Sequence, residues 1–346
     1  MKKTFELLQS LCDIFALSGC EPSYTKKEIP ILFSELGAKA DRCGNLWVVQ
    51  KSNLPGAKNI LIEAHLDQIG LCVSEILDGG FLSVCSSGGF DANILPGTEF
   101  YVHGQKKYKA VATSVPPHLK QKTDPSKLSL DQIYLDCGFR SKEEAEQSVF
   151  CGASVSFAAA FQPVRGDLVC APALDNKAAV ASLILTLQNV RSPHNLYFLF
   201  TVGEETTSRG VKSAAFEIKP DFALVVDAGF AQTKGLDSDR CIRMHYGPSV
   251  SIADTLSLKL AKWVIRCAGQ NEIALQTVVE PGGTGTSATA LQMRLGGIPC
   301  ALISIPLKYM HTPSEIVSIK DIDSTAKLLC TLLEQDHLEE VFPLER

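Results

Sequence analysis

Apolar positions along the 346-residue chain follow two rhythms. In the first part, Leu8, Leu11, Cys12 and Phe15 recur at helical spacing, with Gly19 placed to end the helix. Glu21–Leu36 reads as a second helix that Pro30 breaks or kinks. Leu46–Gln50 and Ile60–Ala64 read as strands. From Cys72 to Gln162 the pattern changes to short alternating runs punctuated by Gly and Pro. Strands are expected at Gly80–Val84, Glu99–His103, Tyr108–Ala112 and Ala153–Phe157, and an exposed loop at Pro116–Ser129. From Pro163 strand and helix alternate again. Helices are expected at Asn176–Val190, Ser208–Glu217, Ala261–Cys267 and Ser287–Leu295. Strands are expected at Asn195–Val202, Phe222–Val226 and Cys300–Ile305. Short buried strands alternating with helices predict an α/β domain with a mostly parallel sheet. Residues 1–71 and 163–346 would form it, interrupted at 72–162 by a small β domain resembling a partly open barrel.

Composition narrows the class. Hydrophobics make up 45% and charged residues 21%, which suits a globular protein with a sizeable core. A net charge of −5 favours neither nucleic acid nor an anionic membrane. No apolar run is long enough to span a bilayer. Glu6 and Asp13 interrupt any apolar signal segment, so a cytoplasmic protein is expected. The 12 cysteines form no Cys-x-x-Cys pair and are expected to be reduced and mostly buried.

The chemistry gathers at strand ends. His65 and Asp67 follow the run Ile60–Ile62 and, two residues apart, point the same way in an extended chain. A carboxylate beside an imidazole fixes its tautomer and frees the other nitrogen for a metal. Asp175 precedes an apolar helix, where alone it reads as a cap. Glu204 and Glu205 closely follow one strand, Asp227 ends another, and His311 trails a third. Each has an ordinary structural role when taken singly. Together, two histidines and four carboxylates near converging strand ends suit a pair of divalent cations and one proton acceptor. His103, His118, His194 and His337 read as structural or solvated, His245 as near the site, and Glu63 as part of the sheet.

Six segments carry a resemblance to a known family. Ala64-His65-Leu66-Asp67-Gln68-Ile69-Gly70, Ala173-Leu174-Asp175-Asn176-Lys177 and Thr201-Val202-Gly203-Glu204-Glu205 with Arg209-Gly210 are three of them. Asp227, Gly282-Gly283-Thr284-Gly285-Thr286 and Ile305 to Glu315 complete the set. In order and spacing they resemble the tetrahedral aminopeptidases, the glutamyl aminopeptidase relatives of which some carry an endoglucanase label. The resemblance implies a zinc-exopeptidase-like fold of three layers and two divalent metal ions, zinc first and cobalt or manganese as alternatives. It implies that His65 and Asp227 hold one ion, Glu205 and His311 the other, and that Asp175 bridges them. Glu204 would be the general base toward a metal-bridging water, and Asp67 would orient His65. Short peptides would lose their N-terminal residue. A homo-oligomer is implied, a dimer through the β insertion and a dodecamer beyond it.

Gln68, Lys177, Gly203, Thr206-Thr207-Ser208 and Ser287 depart from the family pattern, and none removes a proposed ligand or the base. Two other readings stand beside this one. A glycoside hydrolase could use two of the carboxylates, but it needs no histidine ligands, and aromatics are only 7% of this chain. A metal-binding scaffold without turnover would have no use for Glu204.

Overall fold

The strand Asn59–His65 lies at the centre of an 11-stranded sheet. The computed structural model describes residues 1–20, 29–119, 127–236, 239, 241–336 and 338. Ile60, Leu61 and Ile62 are all fully buried because the sheet is covered on both faces. Side chains alternate between those faces. Ile60, Ile62, Phe198, Phe200, Leu224 and Val226 pack with the helices Lys2–Cys12, Leu174–Asn189, Leu258–Gln270 and Ile319–Leu333. Leu61, Leu199, Ala223, Val225 and Leu302 pack with the helices Arg209–Ile218 and Ser287–Gln292. Each fully buried Leu or Ile contributes about 1.5–3 kcal/mol to this core.

The expected parallel order holds at the heart of the sheet and not at its flanks. Asn195–Thr201, Asn59–His65, Phe222–Phe230 and Cys300–Lys308 are mutually parallel neighbours. Leu46–Gln50 joins Asn195–Thr201 antiparallel, and Glu315–Ser318 and Leu168–Ala171 extend the other flank antiparallel. Short connections cannot return a chain parallel to its neighbour. The turn from Lys308 to Glu315 is one such connection.

Several boundaries move for the same reason, that pairing outlasts the apolar run. Phe222–Phe230 and Cys300–Lys308 stay in register beyond their hydrophobic stretches, so Asp227 lies inside its strand, opposite Ser304, rather than at its end. The first helix stops at Cys12. Phe15 lies beyond it and stacks on His103, because Ala16 and Ser18 exchange backbone hydrogen bonds with Gln68. Pro30 caps the helix Ile31–Glu35 rather than kinking a longer one, a place that suits a residue without an N–H. Residues 21–28 of the expected Glu21–Leu36 helix lie outside the described residues, as do residues 120–126 of the expected loop.

The helix Ile319–Leu333 was not expected from the sequence. Its signals are Ser318 capping the Asp321 N–H at 3.2 Å and apolar residues at Ile319, Ile322, Ala326, Leu329 and Leu333. The edge-side strands Ser249–Ala253 and Gln276–Glu280 also went unpredicted.

The inserted strands close into a six-stranded barrel and do not leave it partly open. Ser154–Phe157 pairs with both Gly70–Ile76 and Glu99–His103, which joins the two ends. Leu71, Val73, Val84, Phe100 and Val102 fill its interior. None of the 12 cysteines forms a disulfide, and only Cys170, Cys267 and Cys300 are buried. Cys72 and Cys85 show why the expected burial fails. They oppose each other across two barrel strands, and the period of two turns both away from the packed interior.

Candidate active site

His65 is the last residue of its strand, and parallel pairing sets Thr201 directly beside it. The chain leaving Thr201 therefore brings Glu204 and Glu205 next to the loop after His65. Asp67, fully buried there, accepts the backbone N–H of Glu204 at 3.1 Å and of Glu205 at 3.3 Å. Its carboxylate stands 3.8 Å from His65 Nδ1, whereas its main-chain oxygen is 3.0 Å from that nitrogen. The main-chain oxygen of Asp67 is thus the atom placed to orient His65, and the carboxylate holds the two glutamates.

Asn45 ties both ends of the glutamate loop. Its Oδ1 accepts the Val202 N–H at 3.1 Å and its Nδ2 donates to the Gly210 carbonyl at 3.0 Å. A Cβ at Gly210 would lie 2.3 Å from Asn45 Oδ1 and 2.4 Å from the Val202 carbonyl. Gly210→Ala is expected to cost about 1–3 kcal/mol and to lower the thermal unfolding midpoint. An unchanged midpoint would mean that the loop relaxes freely.

Asp175 stands at the start of the helix Leu174–Asn189, and the Asp175–Asn176 peptide is cis. Buried Glu315 fixes it. One Glu315 oxygen accepts the Asp175 N–H at 3.0 Å, and the other accepts the His311 N–H at 2.8 Å. His311 follows the strand Cys300–Lys308 with φ +63°, and Gly89 of the barrel lies close against it. Lys177, also buried, donates from Nζ to the Leu66 carbonyl at 2.5 Å, which anchors the helix start beneath the His65 loop.

The site's imidazoles meet its carboxylates at even spacing. His65 Nε2 is 3.2 Å from Asp175 Oδ1 and 3.4 Å from Asp227 Oδ1. His311 Nε2 is 3.5 Å from Asp175 Oδ2 and 3.3 Å from Glu205 Oε2. Two ligands at ~2.0–2.1 Å from one tetrahedral ion are separated by about 3.3 Å, which is the spacing seen here. Ligand atoms of His65, Asp175 and Glu205 all fall within 4.8 Å of one another. Glu205 Oε1 is buried with no hydrogen-bond partner, a vacancy in bonding that a cation would satisfy.

Proton affinities reflect crowded negative charge. Burial, reinforced by Asp227, Glu205 and Asp67 and opposed by His65, pushes the Glu204 carboxyl up to about 9. Burial also raises Glu205 and Asp227 against the pull of the histidines. Burial works against protonated His311, but hydrogen bonds and charge from Asp175 and Glu205 push it up to about 11. Asp175 is held below the usual carboxylate range, because both imidazoles outweigh its desolvation. Carboxylates outnumber imidazoles in this cluster, and buried anions need cations. The donor set therefore fits divalent metal ions.

All six of the proposed ligand and base residues line one cavity of 530 Å³: His65, Asp175, Glu204, Glu205, Asp227 and His311. Asp67 lies beneath it. The remaining wall includes Phe230, Ile242, Val278, Glu280, Gly283 to Thr286 and Met310. Glu315 and Lys177 were given no role from the sequence. The signal for Glu315 was its place four residues after His311; only the fold shows what it holds.

Gln68 and Ser287 do not line the cavity among the described residues. Ser287 donates instead to Glu63 at 3.1 Å, below the floor, where Thr201 donates as well. Gly203 has φ +70°, and the Arg209 side chain fills the space a Cβ would need. His103 bonds Ser156, His194 contacts the Gln335 carbonyl, and His245 pairs with Asp167, away from the cavity. His118 is exposed, and His337 lies outside the described residues.

Imidazole and carboxylate groups converging at the carboxyl ends of parallel strands form a candidate metal centre of the kind hydrolases use. Comparison with known proteins then places the chain. Residues 44–328 match the family described as M42 glutamyl aminopeptidase, and the chain belongs to that family. A protein of Acetivibrio thermocellus that carries an aminopeptidase name is 32% identical over 333 residues, covering 94% of this chain and 97% of its own. The lysyl aminopeptidase of Pyrococcus furiosus is 29% identical, covering 96% and 97%. A TET aminopeptidase from a marine sediment Thaumarchaeota archaeon superposes with a TM-score of 0.90 at 26% identity, covering 98% of both chains. The TET1 peptidase of Pyrococcus horikoshii, described as assembling into a tetrahedron or a large octahedral shell, superposes at 0.83 and 28%, covering 96% and 99%. The chain is a peptide-bond hydrolase of the aminopeptidase type. Among its described residues no helix is long and apolar enough to cross a membrane.

Proposed function

We propose that this chain removes N-terminal residues from short peptides with two divalent metal ions. His65 and Asp227 would hold one, Glu205 and His311 the other, and Asp175 would offer one oxygen to each. The observation that carries this reading is the even 3.2–3.5 Å spacing of two imidazoles around the two oxygens of Asp175. When bound, such ions polarise a scissile carbonyl and make water a nucleophile near neutral pH. Zinc is the first choice for this oxygen and nitrogen set, with cobalt or manganese as alternatives.

The protein's own groups do the rest. Glu204 lines the cavity without an imidazole partner, and divalent cations beside it would offset the burial and neighbouring carboxylates that raise its proton affinity, leaving a carboxylate able to take the proton of the attacking water. It then returns that proton to the leaving amine nitrogen. Asp67 holds Glu204 by its backbone N–H, and Glu315 holds Asp175 and His311 in the same way.

The zinc-exopeptidase layering, the division at residues 72 and 162 and a cytoplasmic location belong to the same reading. So does a homo-oligomer built from dimers through the barrel, up to a dodecamer, which the family's shell-forming relatives support. The test is metal analysis together with cleavage of aminoacyl-anilides, run beside a polysaccharide assay. Chelation is expected to abolish anilide cleavage, and added zinc or cobalt to restore it. Full activity after complete metal removal would overturn the metal-dependent reading, and polysaccharide cleavage without anilide cleavage would favour the glycosidase.

A further inference from the structure

The cavity extends from the metal cluster along one face of the sheet. Strand register sets Asp227 beside Ser304, Ser304 beside Ser249, and Ser249 beside Gln276. Alternation then turns Gln276, Val278 and Glu280 to that same face. Val278, Val279 and Glu280 line the cavity at the end of this strand, with Phe230, Ile242, Leu302 and Met310 in its apolar wall. Glu280 is the one charged side chain lining it outside the metal cluster, among the described residues. The Ser251 hydroxyl donates to its Oε1 at 2.5 Å, which fixes the carboxylate in place. No lysine or arginine among the described residues lines the cavity, and its two histidines already face carboxylates.

A substrate side chain entering this space has apolar walls and one fixed carboxylate as its neighbours. An acidic side chain would find no cation and would be repelled. We propose that Glu280 selects peptides whose first residue has an aliphatic stem and a cationic head, lysine or arginine, and that the cavity rejects N-terminal aspartate and glutamate. This inference rests on the aminopeptidase reading and gives it a substrate class. The apolar stem packs on the wall while the cationic head pairs with Glu280, a charge-assisted hydrogen bond in a partly dry site.

The test compares kcat/KM of the metal-loaded enzyme on lysyl-, arginyl-, leucyl- and glutamyl-anilides. Isothermal titration with free lysine and glutamate supplies a second readout. Lysyl and arginyl substrates are expected to exceed glutamyl by at least about tenfold. Glu280→Gln is expected to lower the lysyl-to-leucyl ratio by about tenfold, the loss of one charged hydrogen bond. Glu280→Lys should raise the glutamyl-to-lysyl ratio, which keeps the inference testable if the first variant folds poorly. Cleavage of anilides with glutamyl preferred, or a lysyl-to-leucyl ratio unmoved by both variants, overturns this inference alone. Cleavage of none of the four by the wild type overturns the aminopeptidase reading, and this inference with it.

Discussion

Glu204→Gln is expected to lower peptide hydrolysis by about 10²–10⁴-fold while leaving the metal content unchanged. The substitution keeps the shape of the side chain and removes its capacity to take a proton. Neither imidazole of the cluster is paired with Glu204; their carboxylate contacts are Asp67, Asp175, Asp227 and Glu205. The loop itself stays fixed, because Asp67 grips the backbone N–H of residue 204 and not its side chain. Kinetics and elemental analysis on one preparation separate the outcomes. Retained turnover would place the base elsewhere, and a variant that lost metal would make Glu204 a ligand.

The second large effect is expected at a residue that touches no substrate. Glu315→Gln should weaken metal binding by about 10–100-fold, as loss of a supporting group around a metal site typically does. Both oxygens of the buried Glu315 carboxylate accept backbone N–H groups, one from Asp175 and one from His311. A glutamine keeps one acceptor and turns an NH₂ toward the other donor. Two donors then face each other in a buried space, at a cost of about 1–3 kcal/mol. Asp175 and His311 contact each other at 3.5 Å, so loosening either opens the same corner of the cluster. Competition with a chromogenic chelator measures the affinity, and excess metal should restore much of the activity. A variant with wild-type affinity would show that the cluster holds its geometry without this clamp. The contrast with Glu204→Gln is diagnostic, since one variant should lose chemistry with metal bound and the other should lose metal.

The positions of the clustered histidines and carboxylates were legible in the sequence because each sits beside, or within, an apolar run that reads as a buried strand or helix. Ile60–Ile62 ahead of His65 and Phe222–Val226 ahead of Asp227 are such runs, and burial of apolar surface fixes where they go. The barrel's alternating strands were visible for the same reason. Its closure was not, because it depends on Ser154–Phe157 meeting a strand some 80 residues earlier in the chain.

What the chain determined by itself was the central parallel strands and the alternating runs of the barrel, together with the group of side chains delivered to one sheet edge. These follow from local periodicity and composition, which act within a few residues. Only the tertiary structure decided the partners: the Asp67 carboxylate on the Glu204 and Glu205 backbone with its main-chain oxygen toward His65, Glu315 across Asp175 and His311, and Glu280 in the cavity wall. A carboxylate can accept from any donor within reach, and which donor comes within reach is set by the register of segments that lie as far as 140 residues apart, as Asp175 and Glu315 do. No pattern local to either segment encodes that distance.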